Sequence, residues 1–181
     1  MRIISGKYKG NLVSFQADHN RPTTDRVKES QFNILAGYIE NSRVLDLFAG
    51  TGSLGIEALS RDANEVVFVE QHKKSIEIIR KNLEKLKVIE PTQIIAKDVI
   101  SYLKKYSGEP FDIIFADPPF TQEMAHDVML AAASAPIFHS GTIMTIESGR
   151  REKIDDDYGT IVRYDVREFG DKFLSFFKKK E

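Results

Sequence analysis

The stretch "LFAGTGSLGIEAL" (47–59) carries glycines at positions 50, 52 and 55, the G-x-G-x-x-G spacing. It follows an apolar run, "RVLDLF" (43–48), and leads into a helix-forming segment at 53–61. A strand that ends in a sharp glycine turn and opens a helix is the ligand-binding corner of a doubly wound α/β sheet. Gly50 and Gly52 let the backbone approach a ligand that a Cβ would hold off. Gly55 lies one helical turn further on, where a small residue lets helix and strand pack closely. Phe48 and Thr51 belong to the same turn and join these glycines as cofactor-binding candidates. Twenty residues after Gly50, Glu70 ends the run "EVVFVE" (65–70), where a carboxylate can accept hydrogen bonds from both hydroxyls of a ribose.

Outward from this corner, short apolar runs alternate with amphipathic segments. The runs continue with "TQIIAK" (92–97), "FDIIFAD" (111–117) and "GTIMTIE" (141–147), mostly unbroken, as in parallel strands buried on both faces. Helices are predicted at 53–61, 72–87, 98–106 and 121–133; the second carries Ile76, Ile79, Leu83 and Leu86 at helical spacing. Repeated β-α units with short links imply a parallel sheet with helices on both sides. "TIVRYDVRE" (160–168) alternates Val162, Tyr164 and Val166 against Arg163, Asp165 and Arg167, which suits an edge strand with one wet face. Gly170 and Asp171 then turn the chain into a more apolar strand at 172–177. At the front, "RIISGKYKGNLVSF" reads as two short strands with Gly6 or Gly10 as turn positions. A helix follows "RPTTDRVKES", with Thr24 as its N-cap, Asp25 as a first-turn acid, and Val27, Gln31, Ile34, Leu35 and Tyr38 as its inward stripe.

Which ligand the corner holds turns on charge. NAD and S-adenosylmethionine (SAM) both carry an adenosine, so the glycines and Glu70 suit either. Asp46, inside the first strand, would repel a pyrophosphate at the helix N-terminus but suits the ammonium and sulfonium of SAM; alternatively, it bonds nearby backbone. "DPPF" (117–120) closes the fourth strand, next to the first strand's loop in a doubly wound sheet. An exocyclic amino group on a nucleobase is a poor nucleophile, its lone pair drawn into the ring. Asp117 accepting one N–H and a neighbouring backbone carbonyl the other would favour tetrahedral nitrogen and aim the lone pair at a methyl donor. Pro118 has no N–H to compete, and together Pro118 and Pro119 stiffen the loop. Phe120 would stack on the base, an interaction worth about 1–3 kcal/mol. No metal is required. His19, His72, His126 and His139 form no spaced ligand set and read as surface or loop residues.

Bulk properties set outer bounds. At 181 residues, 41% hydrophobic and 29% charged, the chain suits one domain with a small appendage, large enough to bury a core unaided. It has no cysteine, hence no disulfide frame or thiolate metal site, and neither a membrane-spanning apolar run nor a signal-peptide segment; the cytoplasm is the expected location. The net charge of −1 does not suggest a nucleic-acid binder. Residues 1–30, however, carry six basic side chains (Arg2, Lys7, Lys9, Arg21, Arg26, Lys28) against three acids, a local +3 that could hold phosphate backbone.

With "MRIISGKYKG", "RPTTDRVKES", "VLDLFAGTGSLGIEALSR", "VVFVE", "DPPF" and "REFGDKFLSFF" together, the chain resembles the RsmD family, bacterial methyltransferases of N2 of one guanine in small-subunit ribosomal RNA. The resemblance spans nearly the whole sequence, and "RPTTDRVKES" is its most family-specific part. It implies a Rossmann-like class I SAM-dependent methyltransferase sheet in order 3-2-1-4-5-7-6, strand 7 antiparallel, over residues 41–181, behind a hairpin-and-helix extension at 1–40. It makes Asp46, Gly50 and Gly52 contacts to SAM, Glu70 the ribose acid, Asp98 a contact to the adenine amino group, and residues 117–120 the target-base clamp. Asp98 equally suits a helix N-cap. Arg21, Thr23, Thr24 and Asp25 would close over cofactor or target, and Arg26, Lys7 and Lys9 would meet RNA. The implied product is S-adenosylhomocysteine, and the implied partner is 16S ribosomal RNA in an assembling small subunit, bound by a monomer. Asn11 departs from the family's frequent arginine pair after the glycine matching Gly10, which thins the basic surface there. Other targets for the same chemistry are transfer RNA, DNA adenine or a protein amide. An NAD oxidoreductase would need a hydride-transfer acid–base residue that is not evident, and a non-catalytic SAM-binding RNA module would not need Asp117.

Overall fold

The computed structural model describes residues 2–14 and 22–181, with backbone alone at 22–24. In chain order the elements are α1 (Pro22–Ile34), β1 (Arg43–Leu47), α2 (Ser53–Ser60), β2 (Glu65–Glu70), α3 (Lys73–Lys85), β3 (Thr92–Ala96), α4 (Val99–Lys105), β4 (Phe111–Ala116), α5 (Ala125–Ser134), β5 (Phe138–Gly149), β6 (Ile161–Phe169) and β7 (Lys172–Lys179). Seven strands form one sheet in the order β3-β2-β1-β4-β5-β7-β6, and only the pairings made by β7 are antiparallel. This is the order the resemblance implies.

The unbroken apolar runs are explained by two cores. Side chains alternate across a strand, so Val44, Val66, Phe68, Ile113 and Phe115 meet α1, α2 and α3 on one face. Leu45, Leu47, Val67, Val69 and Ile114 meet α4 and α5 on the other. Each central strand therefore has no wet face, and a polar residue inside it must find a partner within the protein. The β6–β7 turn is the expected one: Phe169 pairs with Lys172, leaving Gly170 (φ 63°) and Asp171 between them.

Four details differ from the sequence reading. Instead of two strands, residues 2–12 make a single antiparallel bridge, Arg2 to Leu12, while Lys7 N–H donates to the Ser60 carbonyl (2.8 Å) and Tyr8 N–H to Ser60 Oγ (3.0 Å). Docking on the end of α2 takes over hydrogen bonds a hairpin ladder would have made. α1 begins at Pro22, whose fixed φ and missing N–H suit a first helical position, so Thr24 lies inside the helix rather than capping it. Its buried residues are Val27, Lys28, Gln31 and Phe32; the helix ends at Ile34, and beyond it Leu35 is buried while Tyr38 is 59% exposed. A bulge between Arg163 and Asp165 breaks the alternation in β6, leaving Tyr164 and Val166 half exposed. α5 starts at Ala125, because residues 120–122 form a 3₁₀ turn directly after the two prolines.

Among the described residues no helix is long and apolar enough to cross a membrane.

Candidate active site

Strand parity decides which side chains meet at the carboxyl ends of the strands. Asp46 shares its side of β1 with Val44, Glu70 follows Phe68 by two, Asp117 follows Phe115 by two, and Glu147 follows Thr145 by two. All four carboxylates thus leave the sheet on the side covered by α1, α2 and α3. Beside them is a cavity of about 980 Å³, lined by Phe48, Gly50, Thr51, Glu70 and Asp98 at one end and by residues 117–120 at the other. The loops after β1, β2, β3 and β4, the β6–β7 turn and the first two turns of α1 surround it, as expected at the switch point between β1 and β4.

The glycine turn is held from beneath. Phe48 (φ 60°), Gly50 (φ 57°) and Gly52 (φ 88°) carry the chain out of β1, and Gly52 caps α2 in a left-handed conformation. A non-glycine residue in that region costs about 1–3 kcal/mol and persists only where its surroundings impose it. At Gly55 a Cβ would lie 2.3 Å from Phe68 Cε1 and 2.9 Å from Val66 Cγ1, so α2 sits on β2 at a distance only glycine allows. Glu70 ties the loops together, one carboxylate oxygen accepting from Gly50 N–H and the other from His72 N–H, each at 2.8 Å. Each oxygen keeps a further lone pair, so a ribose can be held without breaking the loop.

Asp46 is 1% exposed and stands behind the cavity wall, its Oδ2 accepting from Gly55 N–H at 2.9 Å. Burial pushes its carboxyl up to about 7, against the Gly55 hydrogen bond, with the charges of Asp117 and Glu70 adding to the rise. Gly52 also lies behind the wall. Asp98 caps α4, its Oδ1 accepting from Ser101 N–H at 2.8 Å, and lines the cavity as well, so both of its sequence readings describe where it sits. The lining mixes lysines and acids, but with Asp46 buried behind the glycine turn and Glu70 bonded to the Gly50 amide, the turn itself fits a cationic sulfonium cofactor better than a pyrophosphate.

At the other end, Pro118 is buried, Pro119 exposed and Phe120 half buried. Lys172 Nζ lies 4.3 Å from the Phe120 ring centroid, over its face. Gly149, Asp171 and Lys172 line this end and were not anticipated. They arrive through the antiparallel pairing of β7 with β5, which sets Lys172 opposite Gly149 across the sheet. The nearest sequence signal was the "REFGDKFLSFF" segment itself, but nothing in its composition says which strand it joins.

The basic arm divides. Asp25 lines the cavity, and Arg26 is exposed away from it. Lys28 also lines the cavity, yet it is buried and pairs with the fully buried Glu57 (3.1 Å); burial holds its ammonium below the usual lysine range. Lys7 is ion-paired with Glu90 and, at 3.2 Å, with Asp62, on the turn docked at the end of α2. Since α2 spans eight residues, that turn is about 12 Å from the glycine turn, and Lys7 and Lys9 do not join the cavity. Arg21 and His19 lie outside the described residues, as do the side chains of Thr23 and Thr24. Among the described residues no group of three or more histidines and acids is disposed to hold a metal ion.

Comparison with known proteins sets this geometry in context. A family model described as conserved hypothetical protein 95 matches residues 1–178. The chain is 38% identical to a Buchnera aphidicola protein named ribosomal RNA small subunit methyltransferase D, covering 84% of this chain and 80% of that one. It is 33% identical to the putative rRNA methyltransferase YlbH of Bacillus subtilis, over 99% of this chain and all of that one. Among solved structures, the putative methyltransferase yhhF from Escherichia coli superposes with a TM-score of 0.89 at 29% identity, covering 99% of this chain and 98% of that one.

Proposed function

The chain belongs to the conserved hypothetical protein 95 family, and from that membership and the cavity's chemistry we propose that it methylates N2 of one guanine in small-subunit ribosomal RNA. It is a SAM-dependent methyltransferase of the RsmD type. The observation that carries the finer reading is Asp117-Pro118-Pro119-Phe120 facing the same cavity as the glycine turn and Glu70.

When bound, SAM would supply an electrophilic methyl, the C–S electron pair staying on sulfur while the N2 lone pair forms the new C–N bond and N2 sheds one proton. Glu70 orients the adenosine through the ribose hydroxyls while fixing the Gly50 and His72 amides. Asp98, at the mouth of α4, accepts from the adenine amino group beside its capping bond. Asp46 acts through its field: cations bound in front of it favour its ionised form, which otherwise carries a desolvation penalty. Asp117 accepts one N2–H and the Pro118 carbonyl the other, turning the lone pair toward the methyl and giving the departing proton a carboxylate to leave by. Phe120 stacks on the base, and alignment of donor and acceptor near 3–3.5 Å provides much of the acceleration. Asp25 lines the cavity; Arg21, Thr23 and Thr24 are assigned to contact cofactor or target, and residues 1–40 serve as the RNA-facing extension. Little surface remains for reading sequence, so a monomer acting in the cytoplasm would take an exposed base from a folded, assembling particle.

The test is methyl transfer from radiolabelled SAM to small-subunit particles, naked ribosomal RNA, transfer RNA, duplex DNA and bulk protein, with the labelled product identified. N2-methylguanosine from a ribosomal substrate is the expected result. Label in adenine, transfer RNA or protein would keep the methyltransferase and overturn the target.

A further inference from the structure

Glu147 has no part in the chemistry above. In the β4–β5 ladder Ala116 pairs with Ile146, so Glu147 stands one residue further on, level with Asp117 on the adjacent strand and on the same side of the sheet. It is 5% exposed, and its Oε2 is buried without a hydrogen-bond partner. The cation beside that oxygen is Lys172, with Nζ at 3.5 Å; the same Nζ lies over the Phe120 ring. A lysine that lines the cavity therefore occupies the ring face a base would stack on, and the Glu147 carboxyl stands just behind it, outside the lining itself and reached from the cavity when Lys172 moves aside. Buried carboxylate oxygens are ordinarily hydrogen-bonded, so this one awaits a donor.

Guanine's edge supplies it. Among the four RNA bases, guanine alone carries a ring N–H directly beside an exocyclic amino group; adenine and cytosine present a bare lone pair there. Building on the guanine-N2 reading, we propose that Glu147 and Lys172 select guanine: Glu147 accepts the N1–H, and Lys172, displaced from the Phe120 face, donates to O6. Asp117 keeps the amino group. Two carboxylates side by side repel, and in the free protein burial and then the charge of Asp117 push Glu147 up to about 8, with Lys172 opposing. Guanine's adjacent N–H groups favour the ionised Glu147, which accepts from them, whereas that ionised form repels a lone pair at N1; the discrimination is therefore read above about pH 8. Selection thus comes from the pairing of β5 with β4 and β7, not from the D-P-P-F motif, which offers acceptors to any amino group.

The test uses small-subunit particles reconstituted on ligated RNA with guanine or 2-aminopurine at the nucleotide that accepts label. 2-Aminopurine keeps the amino group at C2 but has a lone pair at N1 and hydrogen in place of O6. Wild type is expected to favour guanine by about a thousandfold or more in kcat/KM, the size of discrimination reached when a site built for a donor meets an analogue lacking it. Glu147→Gln can turn its amide N–H to the bare N1, so the guanine preference should shrink at least about tenfold. Lys172→Met frees the Phe120 face for either base but removes the donor to O6, so it should narrow the guanine over 2-aminopurine ratio at least about tenfold. Calorimetric SAM affinity within about threefold of wild type would show that both variants keep the fold. Equal use of the two bases by wild type, or an equal fall on both bases in Glu147→Gln, would overturn the selection while leaving the guanine reading intact. Failure of wild type to label any guanine would remove both.

Discussion

Glu57→Gln tests how the N-terminal segment is fastened to the sheet. Glu57 is fully buried in α2; one oxygen accepts from Ile4 N–H (2.9 Å) and meets Lys28 Nζ (3.1 Å), the other accepts from Ser5 N–H (3.0 Å) and Arg61 Nε (3.0 Å). Glutamine preserves the volume but replaces one acceptor with a donor and removes the only charge buried against Lys28 in that pair. Breaking a buried ion pair from one side costs about 3–5 kcal/mol. Lys28, already held low by burial, limits the loss by shedding its proton, so about 4 kcal/mol is expected rather than the sum with the unsatisfied amides. For a chain of this size that lowers Tm by about 8–16 °C. Thermal unfolding followed by circular dichroism reads the loss, and hydrogen exchange should show Ile4 and Ser5 amides losing protection first. Adding Lys28→Met to Glu57→Gln should recover about 1–2 kcal/mol, because the stranded charge is gone. A loss under about 1 kcal/mol, or no recovery in the double variant, would refute the view that this cluster fastens the segment.

Other consequences are as specific. Gly55→Ala pushes a Cβ into Phe68 and Val66; overpacking of about 1–3 kcal/mol should outweigh the gain in helix propensity and lower Tm by several degrees in a thermal melt. Asp46 has a folded-state pKa of about 7 against 3.8 for an unperturbed aspartate, so the folded protein binds the extra proton and stability falls as pH rises between those values. Asp46→Asn should remove up to about 4 kcal/mol of that decline, measured as urea midpoints from pH 4.5 to 8; an unchanged slope would show that Asp46 is not its source. Phe120→Ala should raise KM for the RNA about 5- to 150-fold by loss of stacking and leave SAM affinity unchanged in calorimetry.

The fold was legible because its strands are central and parallel. "RVLDLF", "EVVFVE" and "FDIIFAD" have no wet face, and the glycine turn and D-P-P-F mark the carboxyl ends of two neighbouring strands. What escaped depends on pairings that one-dimensional patterns do not contain. Lys172 looks like an ordinary hairpin residue, and Glu147 like the end of a parallel strand, until β7 is set between β5 and β6. Lys7 reads as a free basic side chain until docking on α2 brings it to Glu90 and Asp62. Tyr38 continues a helical stripe in the sequence, but the helix it continues stops at Ile34. Asp46 was recognisable as a buried carboxylate near the turn; that it sits behind the wall, bonded to Gly55, required the helix to be in place.

The central claim is that Asp117 holds the amino group that is methylated. Its most direct test pairs SAM binding by calorimetry with single-turnover label transfer to small-subunit particles, for wild type and Asp117→Ala. The account predicts SAM affinity within about threefold of wild type and transfer lowered at least about 100-fold. Transfer at near wild-type rate in the variant would contradict it.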